Sequence, residues 1–111
     1  MFEVRVEAGD AEKFRQTLSE GQYHLGRAAD NEITIPDKSL SRRHLRLEVT
    51  AGGVTLTDLG STNGTYLDGR RLPPHQPTPW PPGETAQVGP LSLHLRQAGE
   101  RGSRGVGEQG S

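Results

Sequence analysis

The chain has 111 residues, 13 Lys and Arg against 14 Asp and Glu, a net charge of −1 and no cysteine. That length suits one domain around a single modest core, and the charge balance advertises neither a nucleic-acid nor a membrane partner. Without cysteine there are no disulfides, thiol nucleophiles or thiolate ligands, and the four histidines lack any HxxxH-type spacing, so neither metal nor cofactor is expected.

The N-terminal stretch MFEVRVEAGD alternates apolar with charged residues, unlike a basic leader followed by an apolar run. No segment approaches the ~18 apolar residues of a membrane span, so a cytoplasmic protein is expected. Short alternating runs then recur: FEVRVE at 2–7, GQYHLG at 21–26, EITI at 32–35, HLRLEV at 44–49, GVTLTD at 53–58 and LSLHLR at 91–96. Each can bury one face and wet the other, and turn signals (AGD, TAGG, STNG, LDG, PPG) separate them at the spacing of an all-β sandwich or barrel. Residues 10–20, DAEKFRQTLSE, fit two periods. Ala11, Phe14 and Leu18 have helical spacing behind an Asp10 cap, while Phe14, Gln16 and Leu18 fit a strand. Residues 73–82, PPHQPTPWPP, are expected to form a loop with Trp80 tucked against the end of the fold, because proline lacks the donor a sheet interior needs. A polyproline ligand is the other use of such a segment. From Gly99 the chain runs GERGSRGVGEQGS, thirteen residues with five glycines; a domain over 1–98 and a disordered tail over 99–111 are expected.

Three strand ends carry matching chemistry. Gly26 and Arg27 close the run QYHL, Ser41 and Arg42 open the run HLRLEV, and STNGT occupies 61–65. Together they supply two guanidinium groups, several hydroxyls, a side-chain amide and the permissive backbone of Gly64, a donor inventory suited to phosphate. Singly, each is an ordinary turn or a solvated charge.

The order GR, then NEITIPDKSLSRRH, then TDLGSTNGTYLDGRRL resembles the forkhead-associated (FHA) domain, a phosphothreonine-peptide binding module, over roughly residues 2–97. The resemblance implies a β-sandwich of about eleven short strands with its ligand site in apical loops at one end, and it favours a strand over 10–20. It implies that Arg27 binds phosphate and that Gly26 permits the turn presenting it. Ser41 would contact phosphate through hydroxyl and backbone, and Arg42 would reach phosphate or peptide backbone. Asn63 would hydrogen-bond the peptide main chain, and Thr62 would touch the phosphothreonine or line its methyl pocket. His44 matches a structural histidine that braces the loops, with Gly26 and Gly64 as further support. Ser39, Leu67 and Asp68 are the candidates for ligand selectivity. Arg43, on simple alternation, points away from Arg42 into solvent.

The expected function is therefore phosphothreonine recognition on a partner protein in Ser/Thr kinase signalling, by a monomer. No nucleophile sits beside a base at a recognisable spacing and no glycine-rich nucleotide loop is present, so an enzyme is not expected. A phosphate-independent scaffold or self-association domain is the alternative. Nucleic-acid binding through Arg27, Lys38, Arg42, Arg43, Arg70 and Arg71 ranks below it, because no aromatic interleaves with these residues as a stacking platform would.

Overall fold

The computed structural model describes residues 1–98. The tail expected over 99–111 lies outside the described residues. Eleven strands run in chain order: β1 (Phe2–Ala8), β2 (Ala11–Leu18), β3 (Gly21–Gly26), β4 (Ile33–Thr34), β5 (Leu45–Thr50), β6 (Gly53–Asp58), β7 (Tyr66–Leu67), β8 (Arg70–Arg71), β9 (Thr78–Pro79), β10 (Thr85–Val88) and β11 (Leu91–Gln97). They form a six-stranded sheet, β2-β1-β11-β10-β7-β8, and a five-stranded sheet, β4-β3-β5-β6-β9. Neighbours are antiparallel except β3 and β4, which pair in parallel through Leu25–Ile33 and Gly26–Thr34.

Alternation explains the sandwich. Phe2, Val4 and Val6 of β1 and Leu91, Leu93 and Leu95 of β11 are buried, as are Leu45, Leu47 and Val49 of β5 and Val54 and Leu56 of β6. These rows face each other across the two sheets in one core. Each such side chain contributes roughly 1.5–3 kcal/mol on full burial. The intervening residues of β1 build a charged outer face. Glu7 meets Arg5 at 2.9 Å and His94 at 3.2 Å, and Glu3 meets Arg96 at 3.1 Å. Half-exposed pairs of this kind contribute about 0–1 kcal/mol each, so the core sets stability and the ion pairs order the outer face.

Residues 11–18 are a strand, paired with all of β1 through a register shift between Val6 and Glu7. As a sheet edge β2 is covered on little of its length: Phe14 is half-buried, Leu18 is buried and the rest is exposed. That thin burial is why its sequence left helix and strand both open.

The proline-rich segment departs from a simple loop. Thr78 and Pro79 pair with Leu56 and Thr55 of β6 as the edge of the five-stranded sheet, where a missing proline donor costs least. Trp80 is 1% exposed and belongs to the core. Its backbone N–H donates to the Val54 carbonyl at 2.8 Å and its indole Nε1–H to the Glu84 carbonyl at 2.8 Å, so the ring is buried with its polar atom satisfied.

Candidate functional site

Three loops meet at one end of the sandwich. The loop after β3 and the loop before β5 are zipped together: Arg27 N donates to Ser41 O at 3.0 Å, Ala28 N to Arg42 O at 3.2 Å and Ile35 N to Gly26 O at 3.0 Å. Asn31, buried between them, donates its amide to the carbonyls of Ala28 and Arg42, both at 2.7 Å. From the sequence, Gly26 is expected to permit the turn that presents Arg27. Its backbone is not left-handed, but a Cβ at this position would lie 2.1 Å from the Arg42 carbonyl oxygen, so glycine is required by close approach.

The loop between β6 and β7 completes the site and is organised around Asp58, which is 3% exposed. Its carboxylate accepts from Gly60 N at 3.1 Å, Ser61 N at 3.0 Å, Ser61 Oγ at 2.6 Å and Thr65 Oγ1 at 2.7 Å. Burial pushes the Asp58 carboxyl up. The hydrogen bonds from Ser61 and Thr65 outweigh burial and hold it below the ordinary aspartate value. Ser61 Oγ in turn accepts from Gly64 N at 2.9 Å, and Gly64 adopts φ 84°, a conformation glycine takes without strain.

His44 joins the loops. The imidazole is fully buried; Nδ1 accepts from Ser41 N–H at 3.2 Å and Nε2 bonds the Gly64 carbonyl at 2.8 Å. An Nδ1 that accepts a backbone N–H places the ring proton on Nε2, which therefore donates to Gly64. One side chain thus ties the Ser41 turn to the STNGT turn. Two further bonds cross the same gap: Thr62 N–H donates to Ser41 Oγ at 3.0 Å, and Asn63 Nδ2 donates to Ser39 O at 2.8 Å.

The result is an open cavity of about 360 Å³ lined by Arg27, Lys38, Ser39, Leu40, Ser41, Arg42, Thr62 and Asn63. It lies near the small end of the ~300–1,000 Å³ range of ligand pockets, room for one modified side chain. Arg27 donates Nε–H to the Leu40 carbonyl at 3.0 Å, which steadies its head and leaves both terminal nitrogens for a ligand. Ser41 Oγ accepts from Thr62, so its own proton is free to be donated. Among the described residues, no carboxylate lies within 4.0 Å of Arg27, Lys38 or Arg42. Concentrated positive charge with spare donors suits a dianion.

All five residues expected to touch ligand line this cavity, and so does Ser39. Leu67 and Asp68 do not. Leu67 is 2% exposed, in the core and paired with Ala86 of β10, and Asp68 with Gly69 makes the two-residue β7–β8 turn at φ 49° and 84°. Both positive dihedrals are what a tight Asp-Gly hairpin requires, which accounts for the LDG sequence without a ligand. Arg43 points outward and pairs with Asp30 at 3.3 Å. Three contributors lay outside the sequence reading. Lys38 counted only as one of several scattered cations, Asn31 carried no signal, and Asp58 was legible only as a strand-ending residue three positions before a serine.

A protein-family model described as the FHA domain matches residues 23–89. The chain belongs to the FHA-domain family, whose members are interaction modules. The FHA domain-containing protein FhaB of Mycobacterium tuberculosis is 38% identical over 82 residues, covering 74% of this chain and 52% of that protein. The chain thus spans about half the length of this relative. The crystal structure of the FhaA FHA domain, complexed with the intracellular domain of another protein, superposes with a TM-score of 0.75 at 27% identity, covering 86% of this chain and all of that one. A structure from work on phosphothreonine-dependent FHA domain interactions gives 0.74 at 28% identity, covering 87% of this chain and 98% of the other.

Proposed function

We propose that this domain binds a phosphothreonine side chain on a partner protein and acts by recognition, without chemistry of its own. The observation that carries the reading is the cavity in which Arg27, Ser41 and Arg42 converge with unused donors and, among the described residues, no carboxylate within 4.0 Å of either arginine. Phosphate is the group that answers such a set, since it offers several acceptor oxygens and about −1.5 to −2 charges at neutral pH. Thr62 and Asn63 line the same cavity, where the Asn63 amide can engage the ligand main chain and Thr62 can pack against its methyl group. The phosphothreonine-dependent FHA structure at 28% identity supports the assignment; a place in Ser/Thr kinase signalling in the cytoplasm is part of the same proposal. Among the described residues no helix is long and apolar enough to cross a membrane.

Calorimetric titration with a phosphothreonine peptide and its unphosphorylated twin tests the reading. Binding is expected for the first and not the second. Arg27→Ala is expected to lower affinity by at least tenfold to hundredfold, since a charge-assisted hydrogen bond contributes roughly 1.5–3 kcal/mol. Equal binding of the two peptides, or partner capture indifferent to Arg27, would instead favour a phosphate-independent scaffold.

A further inference from the structure

We propose that Arg71 reads an acidic side chain near the phosphothreonine, so that the domain selects acidic phosphopeptides; this rests on the phosphopeptide reading above. Arg71 ends β8, opposite Tyr66, and is exposed. Its guanidinium lies across the open face of Gly64: a Cβ built there would be 2.7 Å from Nε, 3.0 Å from Cζ and 3.1 Å from Nη2. Three atoms of a planar group so near one point place the plane over the glycine, which works only because no side chain intervenes. That platform is rigid, since Gly64 is fixed by Ser61 through its N–H and by His44 through its carbonyl. The residue before Gly64 is Asn63, which lines the cavity.

Of the exposed arginines outside the cavity, Arg70 is also unpaired among the described residues but lies against no glycine, and Arg15, Arg43 and Arg96 have partners in Glu12, Asp30 and Glu3. Arg71 has none. Among the described residues no carboxylate comes within 4.0 Å of it and no hydrogen bond uses its donors. Asp58, the carboxylate built into the adjoining loop, is buried and already saturated by Ser61, Thr65 and Gly60. Arg27 and Arg42 line the cavity itself and Arg71 does not, so Arg71 remains for a neighbouring ligand residue. A guanidinium already laid flat loses little freedom on meeting a carboxylate, and its planar fork matches that group.

The experiment walks one glutamate through the three positions on each side of the phosphothreonine in an otherwise alanine peptide, with glutamine at the same positions as reference. Wild-type protein is expected to prefer glutamate over glutamine by about two- to fivefold at one or two positions, the size of an exposed ion pair. Arg71→Gln should erase that preference, and Arg71→Lys, which keeps charge but not the planar fork, should weaken it. Arg43→Gln removes a like charge from a residue already paired with Asp30 and should leave the preference in place. A flat wild-type scan overturns the proposal, as does a preference that survives Arg71→Gln or vanishes equally in Arg43→Gln. The all-alanine phosphothreonine peptide separates the two levels: if it binds and its unphosphorylated twin does not, a flat scan counts against Arg71 alone. If no phosphothreonine peptide binds, both readings fall.

Discussion

His44 and Arg27 sit one loop apart and do opposite kinds of work. Arg27 spends one N–H on the protein and offers the rest outward, whereas His44 is wholly consumed by Ser41 N–H and the Gly64 carbonyl. Replacing His44 with alanine therefore empties a buried volume and orphans two backbone groups, at a cost of about 2–5 kcal/mol by analogy with other large-to-small core changes. Chemical denaturation should show that loss, with affinity falling as a consequence because the Ser41 and STNGT turns lose their tie. A fully stable variant that has lost only binding would place His44 among the ligand contacts. The ligand residue itself is also discriminated. One buried methyl contributes about 0.8 kcal/mol, or roughly fourfold, and threonine's restricted χ1 loses less freedom on docking. Phosphothreonine peptides should thus bind several-fold more tightly than phosphoserine peptides of the same flanking sequence, and equal titration constants would refute a methyl pocket beside Thr62.

The β6–β7 loop is the element on which the site's shape depends, and its anchor is an acid. Because hydrogen bonds from Ser61 and Thr65 overcome burial, the folded Asp58 carboxyl stays below its unfolded value of about 3.9. A depressed acid contributes stability that is fully present above the unfolded value and is lost as pH falls through the folded one. Stability should therefore decline on acidification below about pH 4. Asp58→Asn should lower stability at neutral pH by about 1–3 kcal/mol, since an amide turns a donor towards Ser61 or Thr65, and should blunt that acid decline. An unchanged acid limb in this variant would remove Asp58 as its source. What was legible in the sequence divides along the same lines. Strands that bury one whole face, such as β1, β5 and β11, announced themselves by alternation. β2 did not, because an edge strand with one buried and one half-buried residue leaves almost no periodic trace. The polar loops were legible as chemistry, yet Asn31 acts through the Arg42 carbonyl that only folding brings near, Asp58 is buried by a fold that its own short sequence did not announce, and Leu67 was misplaced because a two-residue strand is too short to show which way it faces.

At the scale of the described residues, the site and the Met1–Ala98 contact stand at opposite ends. A Cβ on Gly89, in the β10–β11 turn, would lie 2.5 Å from Ser39 Oγ, so that turn abuts the ligand cavity. From there β11 runs seven residues away, roughly 20 Å, to where Gln97 pairs with Phe2 and Ala98 N–H donates to the Met1 carbonyl. The cavity, by contrast, is framed by the ends of β3, β5 and β6, adjacent strands of one sheet with Leu25, Leu45 and Leu56 in the common core. Ligand contacts and folding contacts therefore belong to one cooperative unit, and occupancy of the cavity should register in global unfolding. A peptide present at a hundredfold excess over its Kd stabilises the native state by about 2.7 kcal/mol. For a domain of this size, where 1 kcal/mol moves Tm by about 4–8 °C, that is a rise of roughly 10–20 °C. Scanning calorimetry with saturating phosphothreonine peptide should show it as a single shifted transition, absent for Arg27→Ala. A second, unshifted transition would mean that the loops order independently of the sandwich.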